Sequence, residues 1–167
     1  ALENAPVNGR ITLSGYEGSE LLVARLLTES GAEIPYVGTA CPKTAWSTGD
    51  AEWLQARGTE VKFRASLEDD CAAMEAFGPD LAVGTTPVVQ KAKEFAIPGL
   101  YFTNLISARP LMGPAGAGSL AEVVNAAIAG RARMDKMRTF FEGVGEDDTA
   151  GIWEGEPNLR PDFRAAH

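Results

Sequence analysis

The chain has 167 residues, of which 45% are hydrophobic and 23% are charged, and its formal net charge at pH 7 is −8. This composition is typical of one globular domain with its own core, and no apolar run approaches the ~20 residues of a membrane helix. The acidic balance argues against a nucleic-acid partner, because binding to phosphates requires a basic surface. The first residues show no secretory signal, which predicts a cytoplasmic protein, and the missing initiator methionine suggests an excised piece.

Strand and helix patterns alternate through the first half of the chain. They predict strands at 10–14, 33–38 and 60–64, and helices at 20–30, from about 50 to 56 and at 67–77. Thr48 or Asp50 would cap the second helix, which leaves Cys41 and Trp46 in a loop before it. Ser66 would cap the third helix, and the three acidic residues that follow it suit a helix dipole better than a metal ion.

The second half continues the alternation. It predicts strands at 81–83 and 99–102, a short helix at 88–95 and a long amphipathic helix at 119–142. Five strands alternating with five helices predict an α/β fold, a Rossmann-like open parallel sheet with helices on both faces. Residues 1–142 would form this domain, and residues 143–167 would form a polar C-terminal tail.

The turn after the first strand, Gly15–Ser19, resembles a nucleotide-binding turn in position only. It lacks the glycine spacing of a dinucleotide fingerprint and the Gly-Lys-Ser/Thr of a phosphate loop. It also places Glu17 where a phosphate would lie, and a carboxylate repels an anion. The sequence therefore argues against nucleotide binding and favours a tight turn that leads into a capped helix.

The ends of the fourth and fifth strands carry polar residues that favour a binding site. Thr85 and Thr86 follow the fourth strand, and Asn104 follows the fifth. Ligands of open α/β sheets bind at the carboxyl edge of the strands, where backbone N–H groups and side-chain hydroxyls are free. Thr86 would also cap the helix that Pro87 begins, and helix capping alone remains an alternative explanation of these threonines.

A Gly- and Pro-rich loop is predicted from Leu105 to Gly118, and it carries four apolar side chains. These are Leu105, Ile106, Leu111 and Met112. Such residues suit a large flat apolar ligand or a partner subunit, and a loop folded over its own domain remains the alternative.

The residue types exclude several kinds of active site. The chain has two cysteines, Cys41 and Cys71, and its single histidine is His167. A self-contained zinc or iron–sulfur site needs about four soft ligands, so the chain is predicted to bind no metal alone. No Ser-His-Asp or Cys-His set is available either. The residues by themselves predict a binding module rather than a complete active site.

Two long runs in the second half resemble one protein family. They read GTTPVVQKAKEFAIPGLYFTN at 84–104 and RPLMGPAGAGSL at 109–120. With the opening run SGYEGSELLVARLLTESGAEIPYVGTACP and the DTAGIWE of the tail, they resemble the C-terminal domain of nitrogenase component 1-like proteins. Within that family the similarity is greatest to the subunit Y branch of the chlorophyllide a reductases. Those subunits are longer, with three Rossmann-like domains.

This resemblance implies a fragment of a light-independent, nitrogenase-like oxidoreductase of bacteriochlorophyll biosynthesis, found in phototrophic bacteria. The enzyme reduces the C7=C8 bond of ring B of chlorophyllide. A homologous Z-like subunit completes the catalytic component, and an iron–sulfur ATPase, the X-like reductase, uses ATP to deliver electrons. A [4Fe–4S] cluster passes them to the pigment, and its ligands lie outside this chain. The fragment alone would be inactive.

The resemblance also gives roles to the predicted site residues. Thr103 stands where nitrogenase has a histidine ligand of its metal cofactor, which agrees with a site given to a pigment. Thr85, Thr86 and Asn104 would bind polar edges of the macrocycle, and the four apolar residues would pack against its face. Two alternatives remain, namely a nitrogenase-type cofactor scaffold or maturation protein and a stand-alone small-molecule binding domain.

Overall fold

The computed structural model describes residues 6–107 and 113–140 of the chain. The chain divides into two compact units, Ala1–Arg131 and Ala132–His167. The first unit contains the sheet. The predicted boundary at residue 142 and the tail beyond it lie outside the described residues, and they stay a prediction.

Five parallel strands form one sheet in the order β3-β2-β1-β4-β5. The strands are Arg10–Gly15 (β1), Glu33–Thr39 (β2), Glu60–Phe63 (β3), Leu81–Gly84 (β4) and Gly99–Tyr101 (β5). The helices are Glu20–Glu29 (α1), Ala45–Gln55 (α2), Leu67–Phe77 (α3), Thr86–Glu94 (α4), Phe102–Ser107 (α5), Gly113–Ala129 (α6) and Arg131–Phe140 (α7). The predicted open parallel sheet is confirmed, and β1 lies at its centre.

Helices cover both faces of the sheet, as predicted. Alternate residues of a strand point to opposite faces. In β4, Leu81 and Val83 join the larger core with α1, α2, α5 and α6, whereas Ala82 joins a smaller cluster with Met74 of α3 and Ala92 of α4. None of the described helices combines the length and the apolar character of a membrane span.

Side-chain caps explain where α2 and α3 begin, and the predicted cap of α2 is wrong. Thr44, rather than Thr48 or Asp50, caps α2, because its hydroxyl accepts a hydrogen bond from the Ser47 N–H at 3.2 Å. Trp46 therefore lies in the first turn of α2 and not in a loop. The Ser66 cap of α3 is confirmed, since its hydroxyl accepts from the N–H of the third helical residue.

The predicted loop at 105–118 is the largest error of the sequence analysis. Residues 102–107 form α5, and α6 already begins at Gly113, six residues before the predicted start. The glycine and proline residues at 113–118 are typical of a loop, but they form the first part of α6. Leu120 and Val124 of this helix are buried in the core. Tertiary packing thus overrides low helix propensity here. The predicted single helix at 119–142 is also interrupted, by Gly130 between α6 and α7.

Candidate functional site

A cleft of about 520 Å³ opens at the carboxyl edge of the sheet. It is lined by Tyr16, Gly84, Thr85, Thr86, Pro87, Tyr101, Thr103 and Asn104. These residues follow or end β1, β4 and β5. From β1 the chain first forms β2 and β3 on one side of β1, and it then forms β4 and β5 on the other side of β1. The cleft therefore lies at the point where the strand order reverses, which is where open α/β sheets bind ligands.

The turn from β4 to α4 supplies the polar wall of this cleft. Thr85 is the N-cap residue of α4, but its side chain makes no capping hydrogen bond. The predicted cap, Thr86, is instead the first residue of the helix. The N-terminus of a helix carries unpaired N–H groups and a partial positive charge. The Thr85 hydroxyl and this helix end are thus available to a polar or anionic group in the cleft.

The turn from β5 to α5 supplies the opposite wall. Thr103 and Asn104 lie in the first turn of α5, and both side chains are exposed. The Thr103 hydroxyl donates a hydrogen bond to Glu17 Oε1 at 3.3 Å, which links this wall to the turn after β1. The structure thus brings Thr85, Thr86 and Asn104 together, as expected from their places at the ends of parallel strands.

The apolar residues predicted for the site have a different position. Leu105 is buried in the main core, and Ile106 packs against the same core from α5. Neither lines the cleft, because α5 turns these side chains towards the sheet. For these two residues the structure favours the alternative, in which the segment folds over its own domain. Leu111 and Met112 lie outside the described residues, so their predicted role stays a prediction.

The turn after β1 is closed by a side chain that the sequence analysis overlooked. Glu20, the first residue of α1, is fully buried. Its carboxylate accepts hydrogen bonds from the N–H groups of Glu17 at 2.6 Å and Gly18 at 2.9 Å, and from the Thr39 hydroxyl at 2.9 Å. These donors would hold a phosphate in a nucleotide-binding protein. The chain's own carboxylate occupies them, which supports the prediction against nucleotide binding at this turn.

A second buried carboxylate lies on the other face of the sheet. The Tyr36 hydroxyl of β2 donates a hydrogen bond to Asp70 Oδ1 at 2.8 Å, and both side chains are buried. Burial raises the pKa of Asp70 to about 6, and the hydrogen bond from Tyr36 offsets this effect only in part. The neighbouring Asp69 accepts a hydrogen bond from the Ser66 N–H at the start of α3, and its hydrogen bond with Lys62 lowers its pKa to about 2.

No metal site was found among the described residues, where no three His, Cys, Asp or Glu side chains are grouped to hold an ion. Cys41 Sγ lies 3.5 Å from the Tyr16 carbonyl oxygen, and Cys71 is on α3. Burial raises the pKa of the Cys71 thiol, which disfavours the thiolate that a metal needs.

Comparisons with known proteins identify similar sequences and a similar structure. The family model described as nitrogenase component 1 type oxidoreductase matches residues 3–129. Two curated relatives are each described as the chlorophyllide reductase 52.5 kDa chain. The one from Cereibacter sphaeroides is 79% identical over 167 residues, which are 100% of this chain and 33% of the relative. The one from Rhodobacter capsulatus is 74% identical over 164 residues, which are 98% of this chain and 33% of the relative.

The chain thus spans about a third of the length of the curated relatives that it matches. A solved structure described as nitrogenase Cp1 at pH 6.5 has a TM-score of 0.62 to this chain at 23% identity. That match covers 90% of this chain and 33% of the other. It supports the sheet architecture derived above.

Proposed function

Because the chain belongs to the nitrogenase component 1 type oxidoreductase family, we propose that it is part of the catalytic component of a chlorophyllide a reductase. In this proposal it forms the C-terminal third of the subunit called Y. The observation that carries the proposal is 79% identity, along the whole chain, to a chlorophyllide reductase chain. The protein would act in the cytoplasm of a phototrophic bacterium.

The proposed reaction is the reduction of the C7=C8 bond of ring B of chlorophyllide. A Z-like homologous subunit would complete the component as a heterotetramer, and an X-like iron–sulfur ATPase would supply electrons at the expense of ATP. This chain would contribute one wall of the pigment pocket and contacts to other subunits. The Thr85 hydroxyl, the N-terminus of α4 and the Asn104 amide are suited to the polar edge of a tetrapyrrole.

The described residues do not fit the [4Fe–4S] cluster that the family implies. Their two cysteines lie on different elements, after β2 and on α3, and no grouping of ligands is present among them. In the proposal the cluster is held by other parts of the complex. The role of this chain is then to bind and orient the pigment.

The test uses the full-length subunit, expressed together with its partner subunits. Purified complex is examined for the absorption spectrum of a bound pigment and for an iron–sulfur signal. The substitutions Thr86→Ala, Asn104→Ala and Met112→Ala are each expected to weaken pigment binding several-fold. Thr48→Ala, a threonine on α2 outside the cleft, is the matched control and should bind normally.

The outcomes separate the candidate functions. Unchanged pigment binding in all three variants would reject the assignment of the pocket wall. A complex that retains pigment and yet never reduces it, with every partner present, would favour the scaffold or maturation protein. A full-length protein that binds neither pigment nor partners would leave the small-molecule binding domain as the better interpretation.

A further inference from the structure

The structure changes which side chains can supply the apolar surface of the cleft. Leu105 and Ile106 were expected to pack against a ligand, but they belong to the core. Two tyrosines line the cleft instead, Tyr16 after β1 and Tyr101 at the end of β5. Their rings are the largest apolar groups that the cleft offers to a ligand, and the sequence analysis singled out neither of them.

Tyr16 combines an exposed ring with a backbone that the protein holds in place. The residue is 59% exposed, and a single exposed aromatic residue is ordinary on a protein surface. Here, however, the Cys41 thiol donates a hydrogen bond to the Tyr16 carbonyl oxygen at 3.5 Å. The next N–H group, that of Glu17, donates to the buried Glu20 carboxylate at 2.6 Å. The ring is thus exposed although the turn that carries it is fixed on both sides.

A hydrogen bond between side chains ties this turn to the opposite wall of the cleft. The Thr103 hydroxyl of α5 donates to Glu17 Oε1 at 3.3 Å, and Thr103 itself lines the cleft. Because Glu17 directly follows Tyr16, this hydrogen bond restrains the position of the tyrosine relative to α5. A group that is already in place loses little conformational freedom when a ligand binds.

The strand order places the two tyrosines on either side of the polar turn after β4. Strand β4 lies between β1 and β5, so the threonines of this turn stand between Tyr16 and Tyr101. Neighbouring strands are about 4.8 Å apart, and β1 and β5 are therefore separated by roughly 10 Å. Stacked aromatic groups lie about 4.5–7 Å apart between ring centres, so this separation suits one flat ring system between two aromatic side chains.

We propose that Tyr16 packs its ring against the face of a flat conjugated ligand, and that Glu17 is the positioning residue that holds it there through Thr103. The inference rests on the proposed function, in which this ligand is the tetrapyrrole. The polar turn after β4 then faces the edge of the macrocycle, whereas Tyr16 contacts its face. The apolar contacts that Leu105 and Ile106 do not make are thereby assigned to the turn after β1.

The experiment titrates chlorophyllide a into the full-length complex and follows the absorption spectrum of the pigment. Tyr16→Ala should weaken binding by about tenfold or more, because both the buried area and the stacking contact are lost. Tyr16→Phe keeps the ring and should bind within about threefold of the unmodified complex. Phe95→Ala is the matched control and should bind normally, since Phe95 is an exposed aromatic residue at the far end of α4 and does not line the cleft.

A second pair of variants tests the positioning role of Glu17. Glu17→Ala removes the acceptor of the Thr103 hydrogen bond, so pigment binding should weaken several-fold, while the fold is kept because Glu17 is exposed. Glu17→Gln removes the charge but keeps an oxygen that accepts this hydrogen bond, so its binding should match that of the unmodified complex. Equal weakening in both variants, or none in either, would overturn the positioning role.

The outcomes separate this inference from the proposed function. Chlorophyllide binding that Tyr16→Ala leaves unchanged would overturn the inference alone. Protoporphyrin IX, another flat conjugated macrocycle, serves as a second probe. If the unmodified complex binds this porphyrin but not chlorophyllide, and Tyr16→Ala weakens that binding, only the proposed function fails. If Tyr16→Phe weakens binding as much as Tyr16→Ala, the contact is not made by the ring and the inference is wrong, and if neither ligand binds, both proposals fail.

Discussion

The turns after β1 and after β4 lie at the same edge of the sheet, and each leads from a strand that ends in glycine into a helix. They differ in whether the protein itself supplies a hydrogen-bond acceptor for the backbone N–H groups of the turn. After β1, the buried carboxylate of Glu20 accepts two backbone hydrogen bonds and one from Thr39. After β4, the Thr85 side chain makes no capping hydrogen bond, and the turn lines a cleft. One turn is closed by the chain itself, and the other is open to a ligand.

This difference shows why position alone does not identify a binding turn. The turn after β1 has the place in the fold that a nucleotide-binding turn would have, yet its donors are already used. The turn after β4 has no recognised nucleotide motif, yet it keeps its polar groups available. Whether the donors of a turn are already satisfied by the protein is therefore the more useful criterion.

The largest expected effect comes from opening the closed turn. Glu20→Ala removes the acceptor of three hydrogen bonds inside the protein, so we expect the free energy of unfolding to fall by about 4 kcal/mol. Urea denaturation measures this change. Glu17→Ala, which removes an exposed carboxylate from the same turn, is the control and should stay within about 0.5 kcal/mol of the unmodified protein. A loss below about 1 kcal/mol in Glu20→Ala would show that the carboxylate does not hold this turn.

A smaller effect is expected from crowding the open turn. In Gly84→Ala the new Cβ atom would lie 2.7 Å from Ser14 Oγ and 2.9 Å from Val88 Cγ1, so α4 must shift. We expect a loss of about 2 kcal/mol by thermal or urea unfolding, together with weaker ligand binding.

Gly49→Ala is the matched control for this substitution. Gly49 lies within α2, and a Cβ atom there would meet nothing within 4 Å. Alanine is the better helix former, so this variant should gain up to about 1 kcal/mol. Equal effects of the two substitutions would contradict the close approach of β4, α4 and Ser14.

Sequence patterns were sufficient to predict the sheet and one complete helix. Helix α3 was predicted at its observed bounds, because Ser66 marks its start and Gly78 adopts the left-handed conformation that ends it, with φ at 51°. The meeting of Thr85, Thr86 and Asn104 was also predictable, since parallel strands bring their carboxyl ends to one edge.

The buried carboxylates were not predictable in the same way. Glu20 and Asp70 each lie in the first turn of a helix, where acidic residues are ordinarily exposed and complement the dipole. Their burial depends on Thr39 and Tyr36, which the sheet places opposite them. For Glu20 a local signal did exist, because a carboxylate directly after a Gly-rich turn can accept hydrogen bonds from the backbone N–H groups of that turn. The start of α6 was missed because packing, not propensity, decides it.

The two buried carboxylates also differ in how pH affects them, and the expected effect is of intermediate size. Asp70 has one donor, Tyr36, and its pKa is raised to about 6 from its ordinary value of 3.8. A raised pKa means that the folded protein holds the proton more tightly. The protonated form of Asp70 therefore contributes its full stabilisation below about pH 4, and this contribution is lost as the pH rises through about 6.

The measurement is urea denaturation at several pH values between 4 and 7. The free energy of unfolding of the unmodified protein should decrease by about 1–2 kcal/mol over this range relative to Asp70→Asn, after allowance for partial solvent screening. Asn cannot titrate, and it still accepts the Tyr36 hydrogen bond. Parallel pH curves for the two proteins would contradict the raised pKa of Asp70.

The smallest effects on stability are expected at the N-cap residues of α3 and α4, of which the first makes a capping hydrogen bond and the second does not. Ser66 accepts the N–H of Asp69 at 3.2 Å in a capping box, so Ser66→Ala should lose about 1 kcal/mol of stability. Thr85 occupies the same position at the start of α4 without that hydrogen bond, so Thr85→Ala should change stability by less than about 0.5 kcal/mol. Its cost should appear instead as several-fold weaker pigment binding by the full-length complex. If Thr85→Ala destabilised the protein as much as Ser66→Ala and left binding unchanged, the Thr85 hydroxyl would be capping α4 rather than binding a ligand. The turn after β4 would then be closed by the protein itself, like the turn after β1.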